Sequence, residues 1–146
     1  MLAFEASSTI NATPSAVWAV LVDGADWPSW DSGVEAVDGT IAEGHKIRIR
    51  SKVAPGRTFP VKVTTLRAPS QLVFTGGMPL GLFTGERTYS VTEAPTGGVL
   101  VHMREQYTGP LAGSIGKSIP DLNPSFRQFV DGLKARVESG HAELGH

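Results

Sequence analysis

The chain has 146 residues, 40% apolar and 18% charged, with a net charge near −1; this suits one soluble domain with a real core and gives no overall argument for nucleic acid or an anionic membrane as partner. It contains no cysteine, which excludes disulfides, thiolate catalysis and thiolate metal sites. The N-terminus lacks a basic region followed by a long apolar run, and no stretch approaches the ~20 apolar residues of a membrane span, so a cytoplasmic protein is expected.

In chain order, Leu2 to Asn11 alternates, with Leu2, Phe4, Ala6, Ser8 and Ile10 on one face, as a half-buried strand does. Thr13-Pro14 combines a capping side chain with a proline at the first helical position, and it opens a short helix through Val22. Asp26 to Trp30 reads as a second short helical turn capped by Asp26. Trp18, Trp27 and Trp30 are the only tryptophans, and their large apolar areas are expected to plug one end of a sheet.

Glycines and prolines then punctuate six segments of strand character. Val34–Thr40 pairs with His45–Val53, and Thr58–Arg67 follows with Phe59, Val61, Val63 and Thr65 on its apolar side. Gln71–Thr75 is short, and Gly76 to Gly81 is expected as a loop. Leu82–Thr92 and Val99–Thr108 are the longest. Gly109 to Pro120 reads as an irregular, flexible connection.

The last helix is expected from Asn123 to Ser139, capped by Asn123, with Pro124 at its first position and Gly140 as its stop. Leu122, Phe126, Phe129, Val130, Leu133 and Val137 form one stripe at helical period, while Arg127, Gln128, Asp131, Lys134 and Glu138 lie off it. Short turns between successive strands imply antiparallel pairing. The expected architecture is α+β: a seven-stranded curved antiparallel sheet around a long C-terminal helix, with two short helices after the first strand. A single domain would cover 1–140, with a tail at 141–146.

Thr13-Pro14-Ser15-Ala16-Val17-Trp18 followed by Asp26-Trp27-Pro28-Ser29-Trp30 resembles the opening of the SRPBCC, or START-like, superfamily of helix-grip proteins. Gly97-Gly98-Val99-Leu100-Val101, the run His102 to Leu111, and the closing Phe129 to Lys134 resemble that family's last strand and helix. The resemblance implies the helix-grip fold. It also implies one of several functions found there: carriage of lipids, polyketide cyclase/dehydrase or hydrolase chemistry, or chaperone-type interaction. Its motifs are structural, so they speak to fold more than to function.

Strand alternation supplies the candidate site. If Tyr89 and Val91 face inward, so do Phe83, Gly85 and Arg87; if Val99 and Val101 do, so do Met103, Glu105 and Tyr107. Arg87, Glu105 and Tyr107 would then share an otherwise apolar interior. A buried charge is costly unless paired, so Arg87 and Glu105 should meet. The apolar lining is expected from Phe59, Val61, Phe74, Met78, Phe83, Tyr89 and Met103, closed by Phe126 and Phe129. Met78, a flexible thioether in a Gly/Pro loop, is a candidate portal residue.

The favoured partner is a small hydrophobic or amphipathic molecule (lipid, polyketide or isoprenoid-like), bound by a monomer or homodimer without a cofactor. The alternatives are a cyclase or dehydratase using Glu105 as acid–base, with Arg87 or Tyr107 stabilising developing charge, and an interaction module. Gly116-Lys117-Ser118 lacks the earlier glycine and strand of a phosphate-binding loop. No G-x-S-x-G elbow occurs, and His45, His102, His141 and His146 lack metal-ligand spacing. Lys46, Arg48, Arg50, Lys52 and Lys62 read as a solvated basic face without the interleaved aromatics of a nucleic-acid surface.

Overall fold

From residue 34 to residue 108, each strand follows the last through a connection too short for a crossover, so sequence neighbours pair antiparallel. The computed structural model describes residues 2–144, with side chains described for 2–140. Its strands are β1 (Ala3–Ile10), β2 (Val34–Asp38), β3 (Lys46–Ser51), β4 (Phe59–Arg67), β5 (Gln71–Met78), β6 (Phe83–Glu93) and β7 (Val99–Thr108). They form one antiparallel sheet in the order β1-β7-β6-β5-β4-β3-β2. The long helix α3 (Asn123–Leu144) packs against it. This is the α+β helix-grip architecture expected.

The segment between β1 and β2 joins opposite edges of the sheet and carries α1 (Pro14–Leu21) and a 3-10 turn (Gly24–Ser29). Thr13 caps α1, its hydroxyl accepting from the Ala16 N–H at 3.2 Å. The 3-10 turn begins at Gly24, earlier than the expected Asp26 cap. Asp26 instead sits inside it, accepts from the Ser29 hydroxyl at 2.9 Å and pairs with Arg136 of α3 at 3.1 Å. Trp27 is fully buried, and its indole N–H donates to the Leu21 carbonyl at 3.1 Å, which seals one end of the core.

Three expectations change. In β4 the register slips between Val63 and Thr65, and Leu66 takes the place opposite the buried Leu72. The bulge turns Thr65 to the outer face and Leu66 to the core. β5 runs on through Gly76 and Gly77 to Met78, because β6 pairs with it along its whole length. The irregular connection after β7 contains a helical turn, α2 (Ala112–Gly116).

The polar side of α3 has a role beyond solvation. β1 is an edge strand, and an uncovered edge leaves backbone groups unpaired. Asn123 Oδ1 accepts from the Glu5 N–H at 2.9 Å, Arg127 donates to the Ser7 carbonyl at 2.6 Å, and Lys134 donates to the Thr9 carbonyl at 2.6 Å. Glu138 accepts from the Asn11 N–H at 2.9 Å. The helix therefore covers the edge with its side chains. Asn123 is committed to β1 and does not cap α3, whose first turn closes on the Leu122 carbonyl. The helix also runs through Gly140 to Leu144, since Gly140 lacks the left-handed φ that ends a helix. Residues 141–144 of the expected tail are thus helical backbone, and 145–146 lie outside the described residues.

Gly132 lies inside α3 although glycine there costs about 1 kcal/mol relative to alanine. A Cβ at this position would collide with the Asp31 carbonyl oxygen and lie 3.3 Å from the Trp30 ring. The glycine lets the helix press onto the segment before β2, which brings Phe129 against Trp27 and Trp30.

Glu138 ties α3 to β1 at a titratable group. Its carboxyl is held below the ordinary 4.5, first by the Asn11 N–H and then by Lys134. A depressed folded-state pKa gives a contribution complete above pH 4.5 and lost as pH falls through the folded value. Glu138→Gln should therefore flatten the fall of Tm with pH below 4.5; a curve parallel to wild type would show that this contact does not contribute to acid sensitivity.

Candidate functional site

Alternation along β6 and β7 sends Phe83, Gly85, Arg87 and Tyr89 to the same face as Met103, Glu105 and Tyr107, because Arg87 pairs directly with Glu105 and Tyr89 with Met103. His102 and Arg104 point outward, where both reach Glu5, at 3.0 and 2.9 Å. The inward set lines a cavity of about 450 Å³ between sheet and α3.

Its centre is polar. The Arg87 guanidinium Nη2 donates to Glu105 Oε2 at 3.2 Å, and the Tyr107 hydroxyl donates to the same oxygen at 2.5 Å. The Arg87 and Glu105 side chains are 22% and 14% exposed, so the pair is mostly desolvated and its charges must satisfy one another. The Arg87 guanidinium carbon also lies 4.8 Å from the centre of the Phe126 ring, over its face. Burial acts to lower the Arg87 pKa, but Glu105 and Tyr89 together outweigh it and hold the guanidinium ionised.

Aromatic rings surround this centre. Tyr89 is fully buried, with Phe74 and Phe129 each 5.5 Å away. Phe129 also meets Trp27 at 4.9 Å and Trp30 at 5.2 Å. Toward the other end Phe83 stacks on Tyr107 at 5.5 Å. Gly85 pairs with Tyr107 and keeps room for that ring, since a Cβ there would come within 3.1 Å of it.

Two polar atoms on β6 are left over. The Tyr89 hydroxyl and the Arg87 Nε are buried and have no well-aligned hydrogen-bond partner among the described residues, although the phenol and the guanidinium lie near enough to act on each other. An unmatched buried polar group costs about 1–3 kcal/mol. These two residues, two positions apart on one face of β6, both line the cavity.

Phe59, Val61, Phe74, Phe83, Arg87, Tyr89, Met103, Glu105, Tyr107, Phe126 and Phe129 all border this space. Met78 does not. It is 43% exposed at the end of β5, because the extended strand carries it past the cavity's rim. The sequence reading missed the other walls of the mouth: Val53 and Arg57 between β3 and β4, and Ile115 and Ile119 at α2. Ile115 and Ile119, four apart in an otherwise Gly/Ser/Pro-rich stretch, were the available signal. Among the described residues, no group of three or more His, Asp or Glu side chains gathers as a metal site would require.

The protein's only two tyrosines, Tyr89 and Tyr107, both stand in this cavity. Burial pushes both phenols above the ordinary 10; the negative Glu105 adds to this at each, while Arg87 opposes it. A raised folded-state pKa means this stabilisation is intact below pH 10 and declines as pH rises beyond it. An ultraviolet titration should show almost no tyrosinate at pH 10.5 in the folded protein, and full ionisation once urea unfolds it. Half-ionised tyrosine at pH 10 in the folded state would place these phenols in water.

A family model described as polyketide cyclase / dehydrase and lipid transport matches residues 1–138. No curated protein matches the chain. Among solved structures, protein MLL2253 from Mesorhizobium loti superposes with a TM-score of 0.71 at 16% identity, covering 94% of this chain and 98% of that one. A START superfamily protein from Mycobacterium smegmatis gives 0.67 at 14% identity, covering 94% and 97%. The di-domain ARO/CYC StfQ from the steffimycin biosynthetic pathway gives 0.68 at 13% identity, covering 96% of this chain and 52% of that one. At such identities these likenesses establish the fold alone, while the family match extends over nearly the whole chain; the protein belongs to the polyketide cyclase / dehydrase and lipid transport family of the SRPBCC superfamily.

Proposed function

We propose that this protein binds a small, mostly apolar molecule, of lipid, polyketide or isoprenoid-like character, that carries a neutral oxygen acceptor. The observation that carries the reading is the pair of unmatched buried donors, Tyr89 O–H and Arg87 Nε–H, in an aromatic-lined space of about 450 Å³. Small-molecule sites commonly occupy about 300–1,000 Å³ and fix orientation with few polar groups. Glu105 already balances the Arg87 charge, so a ketone or hydroxyl suits the donors better than a free carboxylate, which would bring an uncompensated charge. Native mass spectrometry and a thermal-shift panel of apolar ketones, fatty acids and isoprenoid alcohols test it. Retention of a ketone or alcohol with a raised Tm is expected; an unshifted Tm across the panel would contradict the proposal.

A second reading, cyclase- or dehydratase-type catalysis, is favoured by one feature: Glu105 lies inside the cavity and accepts from both Arg87 and Tyr107. A carboxylate held beside two donors can take a proton while they stabilise developing enolate charge. Glu105→Gln should then abolish turnover of a bound polyketone while leaving its binding within a few-fold. Turnover unaffected by both Glu105→Gln and Arg87→Ala would eliminate this reading.

A further inference from the structure

The rim of the cavity is formed by three segments at one end of the sheet, two of them turns with their flanking strand ends: residues 51–60 joining β3 and β4, 76–85 joining β5 and β6, and 109–120 around α2. None of these positions is acidic, in a chain whose net charge is −1. They carry three exposed cations, Lys52, Arg57 and Lys117, none in an ion pair among the described residues. The neighbouring Asp121 carboxylate accepts from the Asn123 N–H at 3.0 Å, and Glu86 pairs beside Gln106 on the outer face.

The same segments hold all the large exposed apolar side chains among the described residues: Val53, Phe59, Met78, Leu80 and Leu82. Leu80 stands at the tip, 95% exposed, and is the only described non-glycine residue with positive φ, at 63°. A leucine in left-handed backbone is strained and here gains no burial in return. The fold holds an apolar tip outward among unpaired cations.

We propose that this rim docks the protein on an anionic lipid bilayer, with Leu80, flanked by Met78 and Leu82, entering the interface and Lys52, Arg57 and Lys117 facing the headgroups. A protruding apolar tip at the same end of the sheet as three unpaired cations matches a bilayer, which is apolar beneath a negative surface. The net charge conceals this, because the acidic residues lie elsewhere on the chain. The cavity mouth would then open toward the membrane, although the docking itself does not depend on the cavity ligand.

Co-sedimentation with phosphatidylcholine vesicles, with and without phosphatidylglycerol, tests the proposal on the full chain. Binding is expected to the anionic vesicles, weakening with salt, and to fall roughly fivefold for each of K52Q, R57Q and K117Q. Leu80→Gly is expected to lower binding at least fivefold while Tm is unchanged or raised, since glycine accepts the φ without strain. No binding to anionic vesicles, equal binding to neutral ones, or undiminished binding by Leu80→Gly and by the triple cation variant would each overturn it. So would capture of an acidic protein in the absence of vesicle binding. Binding of an apolar ketone in solution by Leu80→Gly is a separate readout, so failure at the membrane is distinguishable from failure of the cavity reading.

Discussion

Glu105→Leu should destabilise the protein by about 3 kcal/mol in urea denaturation. Removing one member of a buried ion pair leaves the other charge uncompensated and costs roughly 3–5 kcal/mol. The 22% and 14% exposure of the two side chains places this case at the lower end. The substitution also strips the Tyr107 hydroxyl of its acceptor. The triple replacement Arg87→Met, Glu105→Leu, Tyr107→Phe removes all three members of this hydrogen-bonded network together, and it should return stability to within about 1 kcal/mol of wild type or above it. On this account the polar centre is not there for stability, and the triple variant, which keeps the Tyr89 hydroxyl, should retain most of the preference for oxygen-bearing ligands. A single-variant cost below about 1 kcal/mol would mean that the pair is solvated, and that a desolvated centre does not exist.

The second large effect separates two residues on α3. Phe129 is 2% exposed, touches Trp27, Trp30 and Tyr89, and borders the cavity; Val137 is 4% exposed and lies away from it. Phe129→Ala should cost about 3 kcal/mol, the lower end for a buried phenylalanine because one side of the ring already faces open space. Val137→Ala should cost roughly 2 kcal/mol, from the loss of two buried carbons at about 0.8 kcal/mol each plus a small cavity. Their effects on ligand binding should diverge far more, with a loss of at least tenfold for Phe129→Ala and almost none for Val137→Ala. Equal effects would reduce the helix to a structural role.

The sequence made the sheet readable because alternation in β1, β6 and β7 is regular, and alternation alone brought Arg87, Glu105 and Tyr107 to one face. It failed where a single residue changes the period. The β4 bulge exchanges Thr65 for Leu66 without any local signal, because both residues suit a strand. The expected end of β5 at Thr75 rests on Gly76-Gly77, since glycine reads as a turn until pairing with β6 overrides it. That same extension removed Met78 from the lining. Asn123 looked like a helix cap because its competing partner, the Glu5 N–H, is 118 residues away. The unmatched Tyr89 hydroxyl could not be anticipated either, because satisfaction of a polar atom is a property of three-dimensional neighbours.

The central claim is that Tyr89 and Arg87 hold an unmatched pair of donors for a ligand's oxygen. It is tested most directly by tryptophan-fluorescence titration with fluorenone and with fluorene, which are nearly equal in size and differ in the carbonyl. Trp27 and Trp30 both lie against Phe129 and should report occupancy. Wild type should favour fluorenone by roughly tenfold, about one well-made buried hydrogen bond. Tyr89→Phe should erase most of that preference while leaving the unliganded protein as stable or more so, because it deletes a hydroxyl that has no partner. Equal affinity of wild type for the two compounds, or a preference that survives Tyr89→Phe and Arg87→Met together, would contradict the account.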